Sequence, residues 1–424
     1  MGWDVCGTRG NVTLMQDENR DVIVVGGGPA GMMAGLLLAR AGVRVTVLEK
    51  HSDFLRDFRG DTVHPSTLAL FAQLGLLDAL LEIEHSRIEQ VSLHVAGRVM
   101  RIADLRGLPV PASFIAMMPQ WDLPNFMAAK AARYPGFDLR MANEAVGVTL
   151  DGAGRVCGVR LADGNDLRAR LVIAADGRRS VLRDDAQLPI EVLGAPMDVF
   201  WFRLNKPDPA MGGESFGALA AGKFLVLIDR QSYFQCAYVF RKGGAETVRA
   251  AGMAAFRAGL TGLVPQLAGS LAQLTDWDQV KLLDVALDRL TRWHRPGLLA
   301  IGDAAHAMSP IGGVGINIAV QDAVATANVL AAPLARGENV DPLLAEVQHR
   351  RWRAVTRMQA IQKFAQDRVI QPMLARRSPI RKPPLLVRII NAVPVLRKIP
   401  GRVIGLGFDR QVIESPNAYP EIRD

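Results

Sequence analysis

Asp21-Val-Ile-Val-Val-Gly26-Gly27-Gly28-Pro29-Ala30-Gly31, continued by Met32 to Ala41, Val43 to Leu48 and Glu49, is the stretch that decides the fold. The run ending at Val25 is short, apolar and β-branched, and reads as a buried parallel strand. Met32 to Ala41 reads as a helix closed by Gly42, and Val43 to Leu48 as a second strand ending in an acid. Strand, helix and strand within about thirty residues make a βαβ unit, which forces the two strands to lie parallel in one sheet. In Gly26-x-Gly28-x-x-Gly31 the first glycine makes the tight turn and the second lets backbone approach a pyrophosphate. The third lets helix and strand pack closely. The helix start adds unsatisfied N–H groups and roughly half a positive charge. Glu49 lies eighteen residues beyond Gly31, at the strand end where a carboxylate can hold a ribose 2′-OH. In that context the motif predicts a bound dinucleotide, which a lone GxGxxG would not.

Two further strands end in glycine and aspartate. Leu171 to Ala175 leads into Asp176-Gly177-Arg178-Arg179-Ser180, and Leu298 to Ile301 into Gly302-Asp303-Ala-Ala-His306. Pro310 and Gly312-Gly313-Val314-Gly315-Ile316-Asn317 then open a long helix, expected over Val314 to Ala332 and stopped by Pro333. Between these landmarks, Pro65-Ser66-Thr67 begins a short helix ending at Gly75, residues 91–116 alternate as sheet, and Asp122 to Arg133 reads as helix. Strands are expected at 145–150 and 156–161. From about 195 to 290 short alternating strands dominate, interrupted by a helix over Ala245 to Leu260. A last long helix is expected over Leu344 to Arg368. The order implies an α/β protein: a Rossmann-like nucleotide-binding domain interleaved with a sheet-rich domain, plus a helical C-terminal tail. The boundaries expected are a loose leader at 1–20, a discontinuous nucleotide-binding domain at 21–90, 120–190 and 291–365, a substrate domain at 91–119 and 191–290, and a tail at 366–424.

Composition narrows the classes. At 424 residues roughly three-quarters of the chain's surface can be buried without staples, and 49% apolar with 22% charged residues excludes a disordered or fibrous chain. Cys6, Cys157 and Cys236 stand far apart with no CxxC pair, which argues against disulfides and structural zinc and predicts a cytoplasmic protein. The net charge of +8 permits an anionic partner, but basic and aromatic residues do not interleave, so no nucleic acid is expected. Val22 to Ala39 runs eighteen residues without a charge, yet five are glycines placed at a strand–helix turn, and acids precede it, unlike a signal peptide. Gly217-x-x-x-x-Gly222-Lys223 resembles a phosphate loop, but Phe224 stands where Ser or Thr must hold Mg²⁺. His306 is expected to make a structural hydrogen bond rather than to act as acid or base.

The three glycine-rich motifs, in this order and spacing, resemble the FAD-dependent aromatic monooxygenases of the para-hydroxybenzoate hydroxylase type over roughly residues 21 to 335. The resemblance implies that Gly26, Gly28, Ala30 and Gly31 cradle the FAD pyrophosphate, with Glu49 and Lys50 at the adenosine ribose. Asp176 and Gly177 would serve both FAD and a passing nicotinamide cofactor. Gly302 and Asp303 would hold the ribityl chain, and Gly313, Gly315, Ile316 and Asn317 the pyrimidine edge, with Pro310 by the reacting face. Relatives commonly have Arg where this chain has Gln120, a departure that still leaves hydrogen-bonding groups for the flavin tail. Arg59 falls where relatives touch the mobile flavin ring, although a salt-bridged loop arginine is an equal reading. Together these imply an NAD(P)H-dependent hydroxylase acting on an electron-rich aromatic or lipophilic small molecule through a flavin C4a-hydroperoxide, with O₂ as co-substrate. The alternatives are an FAD-dependent reductase or a partner-fed halogenase, although none of the six tryptophans forms a halogenase Trp-x-Trp pair. A monomer or homodimer is expected.

From Leu374 to Ile404 there are eight Lys or Arg (Arg376, Arg377, Arg381, Lys382, Arg388, Arg397, Lys398, Arg402) and no acid. One reading is a basic amphipathic surface making peripheral membrane contact. The other, which the sequence alone favours, is a solvated cap packed on the nucleotide-binding domain with arginine stems over apolar surface.

Overall fold

A computed structural model describes residues 20–55, 60–119, 121–206, 215–220, 222–376, 378, 380 and 382–422. Val22–Val25 (β1) is buried at every position, as its continuous apolar run requires. It pairs in parallel with Val45–Leu48 (β2) on one side and Leu171–Ala174 on the other. The full sheet runs His294–Arg295, Leu298–Ala300, Leu171–Ala174, β1, β2, Phe137–Arg140, with only the first strand antiparallel. The helix between β1 and β2, Pro29–Arg40 (α1), starts three residues before the expected Met32, since proline is pre-set for a first helical turn.

A second, seven-stranded sheet carries the middle of the chain. Its order is Lys281–Leu283, Met197–Asn205, Tyr233–Arg241, Lys223–Arg230, Phe216–Ala220, Gln90–Val95, Arg98–Asp104. All its pairings are antiparallel except Phe216–Ala220 with Gln90–Val95. A three-stranded sheet of Gly60–Val63 (β3), Ile115–Pro119 and Ser86–Ile88 links the two regions. Arg98–Asp104 is designated β4. Contrary to the continuous alternation expected over 91–116, residues 105–114 form no strand. The helix expected over Ala245 to Leu260 is broken in two, at Ala250 and Met253, because Gly252 takes φ +86°.

Pro65–Gln73 (α2) follows β3 and ends before Gly75, whose φ of +75° suits a helix stop. The long helix Gly315–Ala335 (α3) passes through Pro333 instead of stopping there. A proline in a last turn removes one N–H but leaves the following residues helical, so the chain continues to Gly337, which takes φ +79°. By length and composition α3 could cross a bilayer (mean hydropathy 1.4), yet 78% of that window is buried, and it packs between α1 and the next helix. That helix, Leu344–Ala365 (α4), gives way to a π-helical turn at Gln366–Ile370 rather than running as α-helix to Arg368. The tail forms Leu385–Ala392 (α5) and Pro394–Leu406 (α6), then returns extended along the nucleotide-binding side.

Candidate cofactor site

The three sequence motifs meet at the C-terminal ends of the parallel strands. Gly26 takes φ +108°, and a Cβ there would lie 2.3 Å from the Ala175 carbonyl oxygen, so first and second motifs touch through backbone. Gly302 takes φ +60°, and a Cβ there would lie 3.1 Å from the Cβ atoms of both Ala30 and Ala319, which joins the third motif to α1 and α3. Arg178 Nε donates to Asp303 Oδ2 at 2.9 Å, closing second onto third. Residues 125 positions apart in sequence are thus ion-paired.

Within the first motif the glycines are not equivalent. A Cβ on Gly31 would lie 1.9 Å from the Gly26 carbonyl oxygen, whereas one on Gly28 would meet nothing within 4 Å. Gly28 has ordinary extended backbone (φ −71°, ψ 179°) and no side chain caps α1. The space beside it is open, and the helix start presents its N–H groups there. Glu49 is buried at the end of β2; its Oε2 accepts from Gly27 N–H and its Oε1 from His51 N–H, both at 3.0 Å. Lys50 beside it is exposed.

Asp176 is largely buried, which raises its pKa, although hydrogen bonds from Ser180 and Leu182 oppose the shift. Among the described residues its Oδ1 has no partner, and neither has the buried Arg178 Nη1. Orphaned buried polar atoms at motif positions suit a polar ligand. The donor set fits FAD: an uncapped helix start beside an open glycine, a strand-end carboxylate, an Asp–Arg pair at the third motif, and a second uncapped helix start at Gly315. Pro310 precedes a tight turn, Ile311–Gly313, and Gly312 and Gly313 both take positive φ.

Asn317 sits at the first turn of α3 with its side chain fully engaged. Its Oδ1 accepts from His64 N–H at 2.8 Å and from Thr67 Oγ1 at 2.7 Å, while its Nδ2 donates to the Thr62 carbonyl at 2.8 Å. Thr62 Oγ1 donates to the Gly313 carbonyl at 2.6 Å. So Asn317 ties β3 to α3, and the backbone at Gly315 and Ile316 is what the helix start presents. Arg59 and Gln120 lie outside the described residues.

Sequence reading missed the support behind this site. Asp322 on α3 is completely buried; its Oδ1 accepts from Arg351 Nε at 2.8 Å. Its Oδ2 lies 2.7 Å from His306 Nε2 and accepts from Gly302 N–H at 3.1 Å. Burial pushes the Asp322 carboxyl upward, but His306 and Arg351 outweigh it and hold the pKa below the usual range. The signal was present: Asp322 is the single charged residue between Ile316 and Ala335. Arg351, on another helix, gave no comparable sign. His64 stands at the start of α2, fully buried, with Nδ1 2.7 Å from the Ile404 carbonyl. The sheet-rich region buries Asp198, Asp229 and Arg230, satisfied by Lys242, Lys206 and Gln235 respectively.

Strand-end glycine motifs converging on an uncapped helix start define a dinucleotide-binding flavoprotein fold, and comparison gives the class directly. Residues 19–361 match the family described as FAD binding domain. The chain is 33% identical over 350 residues to 6-methylpretetramide 4-monooxygenase of Streptomyces rimosus, covering 81% of this chain and 83% of that one. It is 30% identical over 314 residues to a rifampicin monooxygenase of Streptomyces venezuelae, covering 72% of this chain and 62% of the relative's length. Among solved structures, PqsL, a probable FAD-dependent monooxygenase from Pseudomonas aeruginosa, superposes with TM-score 0.71 at 22% identity over 84% of this chain and 99% of its own. The chain belongs to the FAD-binding family of aromatic monooxygenases, and is a flavin-dependent oxidoreductase.

Proposed function

We propose that the protein inserts one atom of O₂ into an electron-rich aromatic ring, with NADH or NADPH as reductant. The balance is R–H + O₂ + NAD(P)H + H⁺ → R–OH + NAD(P)⁺ + H₂O. Bound FAD supplies the electron transfer and oxygen activation; the chain's residues bind, orient and exclude water. The observation that carries this reading is the Arg178–Asp303 pair at 2.9 Å, which draws the Asp-Gly and Gly-Asp motifs together beside the first glycine motif, which they touch at Gly26 and Ala30. Asp303 would hold the ribityl hydroxyls, Glu49 the adenosine ribose, and the start of α3 the negative charge of the reduced ring. Arg178 Nε is held by Asp303, and the exposed Arg179 beside it would meet a nicotinamide cofactor's phosphate.

The test is NAD(P)H oxidation and O₂ uptake by the holoprotein with a panel of aromatic compounds, beginning with 6-methylpretetramide and rifampicin, for which two relatives are named. Substrate-stimulated NAD(P)H oxidation with equimolar O₂ uptake and a hydroxylated product is expected. Turnover that proceeds equally without O₂ would replace this reading with a reductase. Asp303→Ala should lose most of its FAD on gel filtration, and a variant that stays fully yellow would remove the ribityl assignment. Glu49→Gln should weaken FAD less than Glu49→Leu, because an amide oxygen still accepts hydrogen bonds.

A further inference from the structure

The tail helices expose a row of bulky apolar side chains. In α6 the last turns pack inward through Gly401, Gly405 and Leu406, with Val403 and Ile404 partly buried beside them: a Cβ on Gly401 would lie 2.0 Å from the Asp104 carbonyl oxygen, and one on Gly405 2.7 Å from Leu108. Val395 and Ile399 point the other way, 71% and 64% exposed. Helix α5 buries none of its residues, and exposes Leu385 and Leu386 by 68% and 65%. A helix that serves only as a cap puts bulky apolar groups inward and polar ones outward. Here the polar positions on the outer face are all cationic: Arg388 flanks the leucines of α5, while Lys398 and Arg402 alternate with Val395 and Ile399 on α6. Between Asp367 and Asp409 the sequence holds nine Lys or Arg and no acid.

We infer that the outer face of α5 and α6 docks on an anionic phospholipid surface. Exposed aliphatics interleaved with cations on in-plane helices match a bilayer interface, where the apolar groups enter the acyl boundary and the cations meet lipid phosphates. A second copy of the chain is the poorer occupant, since a two-fold interface would set this acid-free surface against itself. The docking face is anchored to the body of the protein. Asn391 Oδ1 accepts from Arg101 N–H of β4 at 2.8 Å, and the Ile404 carbonyl meets His64 next to the cofactor motifs. Lipid would thus be held close to the region where a lipophilic substrate is needed.

The full-length holoprotein should be mixed with vesicles of phosphatidylcholine containing phosphatidylglycerol, with pure phosphatidylcholine vesicles as comparison, and the bound fraction measured by flotation at low and high salt. Binding to the anionic vesicles alone, weakened by salt, is expected. Ile389→Asp and Ile399→Asp should each weaken it about ten-fold. Arg388→Gln and Lys398→Gln should each weaken it about five-fold. These side chains are exposed, so flavin content and melting temperature should stay at wild-type values, and the glutamine pair provides a second route should an aspartate variant misfold. No flotation, or equal flotation with neutral vesicles, overturns the inference. So does a concentration-dependent dimer in sedimentation that the aspartate variants dissolve, because the face would then be covered by a second copy.

Discussion

Gly28 and Gly31 stand three residues apart and bear opposite burdens. A methyl group on Gly31 would collide with the Gly26 carbonyl, while one on Gly28 would enter open space from an unstrained backbone. Gly31→Ala should therefore yield little folded protein. Gly28→Ala should fold with a melting temperature near that of wild-type apoprotein and bind FAD at least ten-fold more weakly, as flavin titration would show. His64 supplies a second prediction at this scale. Burial lowers its pKa from 6.5 to about 4, against the Ile404 hydrogen bond, which raises it. Between these pH values the unfolded chain takes up a proton that the folded chain refuses. Stability from this group is complete above about pH 6.5 and falls as pH drops, by about 3 kcal/mol at pH 4, and changes no further below that. Urea titrations at several pH values should show this slope, and His64→Gln should flatten it. Of the site, the strand-end residues were legible because glycine and aspartate at strand ends have few other uses. The roles of Thr62 and His64 were not, because their partners Gly313, Asn317 and Ile404 are more than 200 residues distant.

Elements were legible where one physical cause acted alone. Continuous β-branched runs gave the buried parallel strands, and alternation gave Val199–Leu204, Phe224–Ile228 and Phe234–Phe240, which the structure extends to Met197–Asn205, Lys223–Arg230 and Tyr233–Arg241. Reading failed where a local rule yielded to context: Pro333 was outvoted by a helix already formed, and Gly252 broke a helix whose apolar periodicity continued across it. Helix α3 carries the most consequential case, since Asp322 holds Arg351, His306 and the Gly302 turn from inside the core. Asp322→Asn keeps the shape but leaves the buried Arg351 charge uncompensated, a loss of about 3–5 kcal/mol. A lowered urea midpoint with unchanged slope would register it. Adding Arg351→Met to Asp322→Asn should recover part of the loss, because the stranded charge is then gone. Full recovery of neither stability nor FAD affinity is expected, since an amide oxygen accepts from His306 and Gly302 more weakly than a carboxylate does.

At the scale of the molecule, the chain's end closes on its beginning. Asn328 of α3 donates to the Val412 carbonyl and accepts from Glu414 and Ser415 N–H, while Ala418 N–H donates to the Arg40 carbonyl at the end of α1. Asn328→Ala should release this strap, costing about 1–3 kcal/mol, with faster hydrogen exchange confined to residues near 411–418. The sequence placed basic residues in this tail but did not show that it returns, because its partners are single side-chain amides with no periodicity to betray them. Interleaving has a further consequence, for synthesis. The glycine motif leaves the ribosome early, but the strand Leu298–Ala300 that completes its sheet and the helix α3 that covers it come much later. At cellular elongation rates that delay is on the order of 15–60 s. Throughout it the apolar β1 and α1 have no lid, so the nascent chain is a natural client for a holding chaperone. Flavin capture must await the emergence of α3.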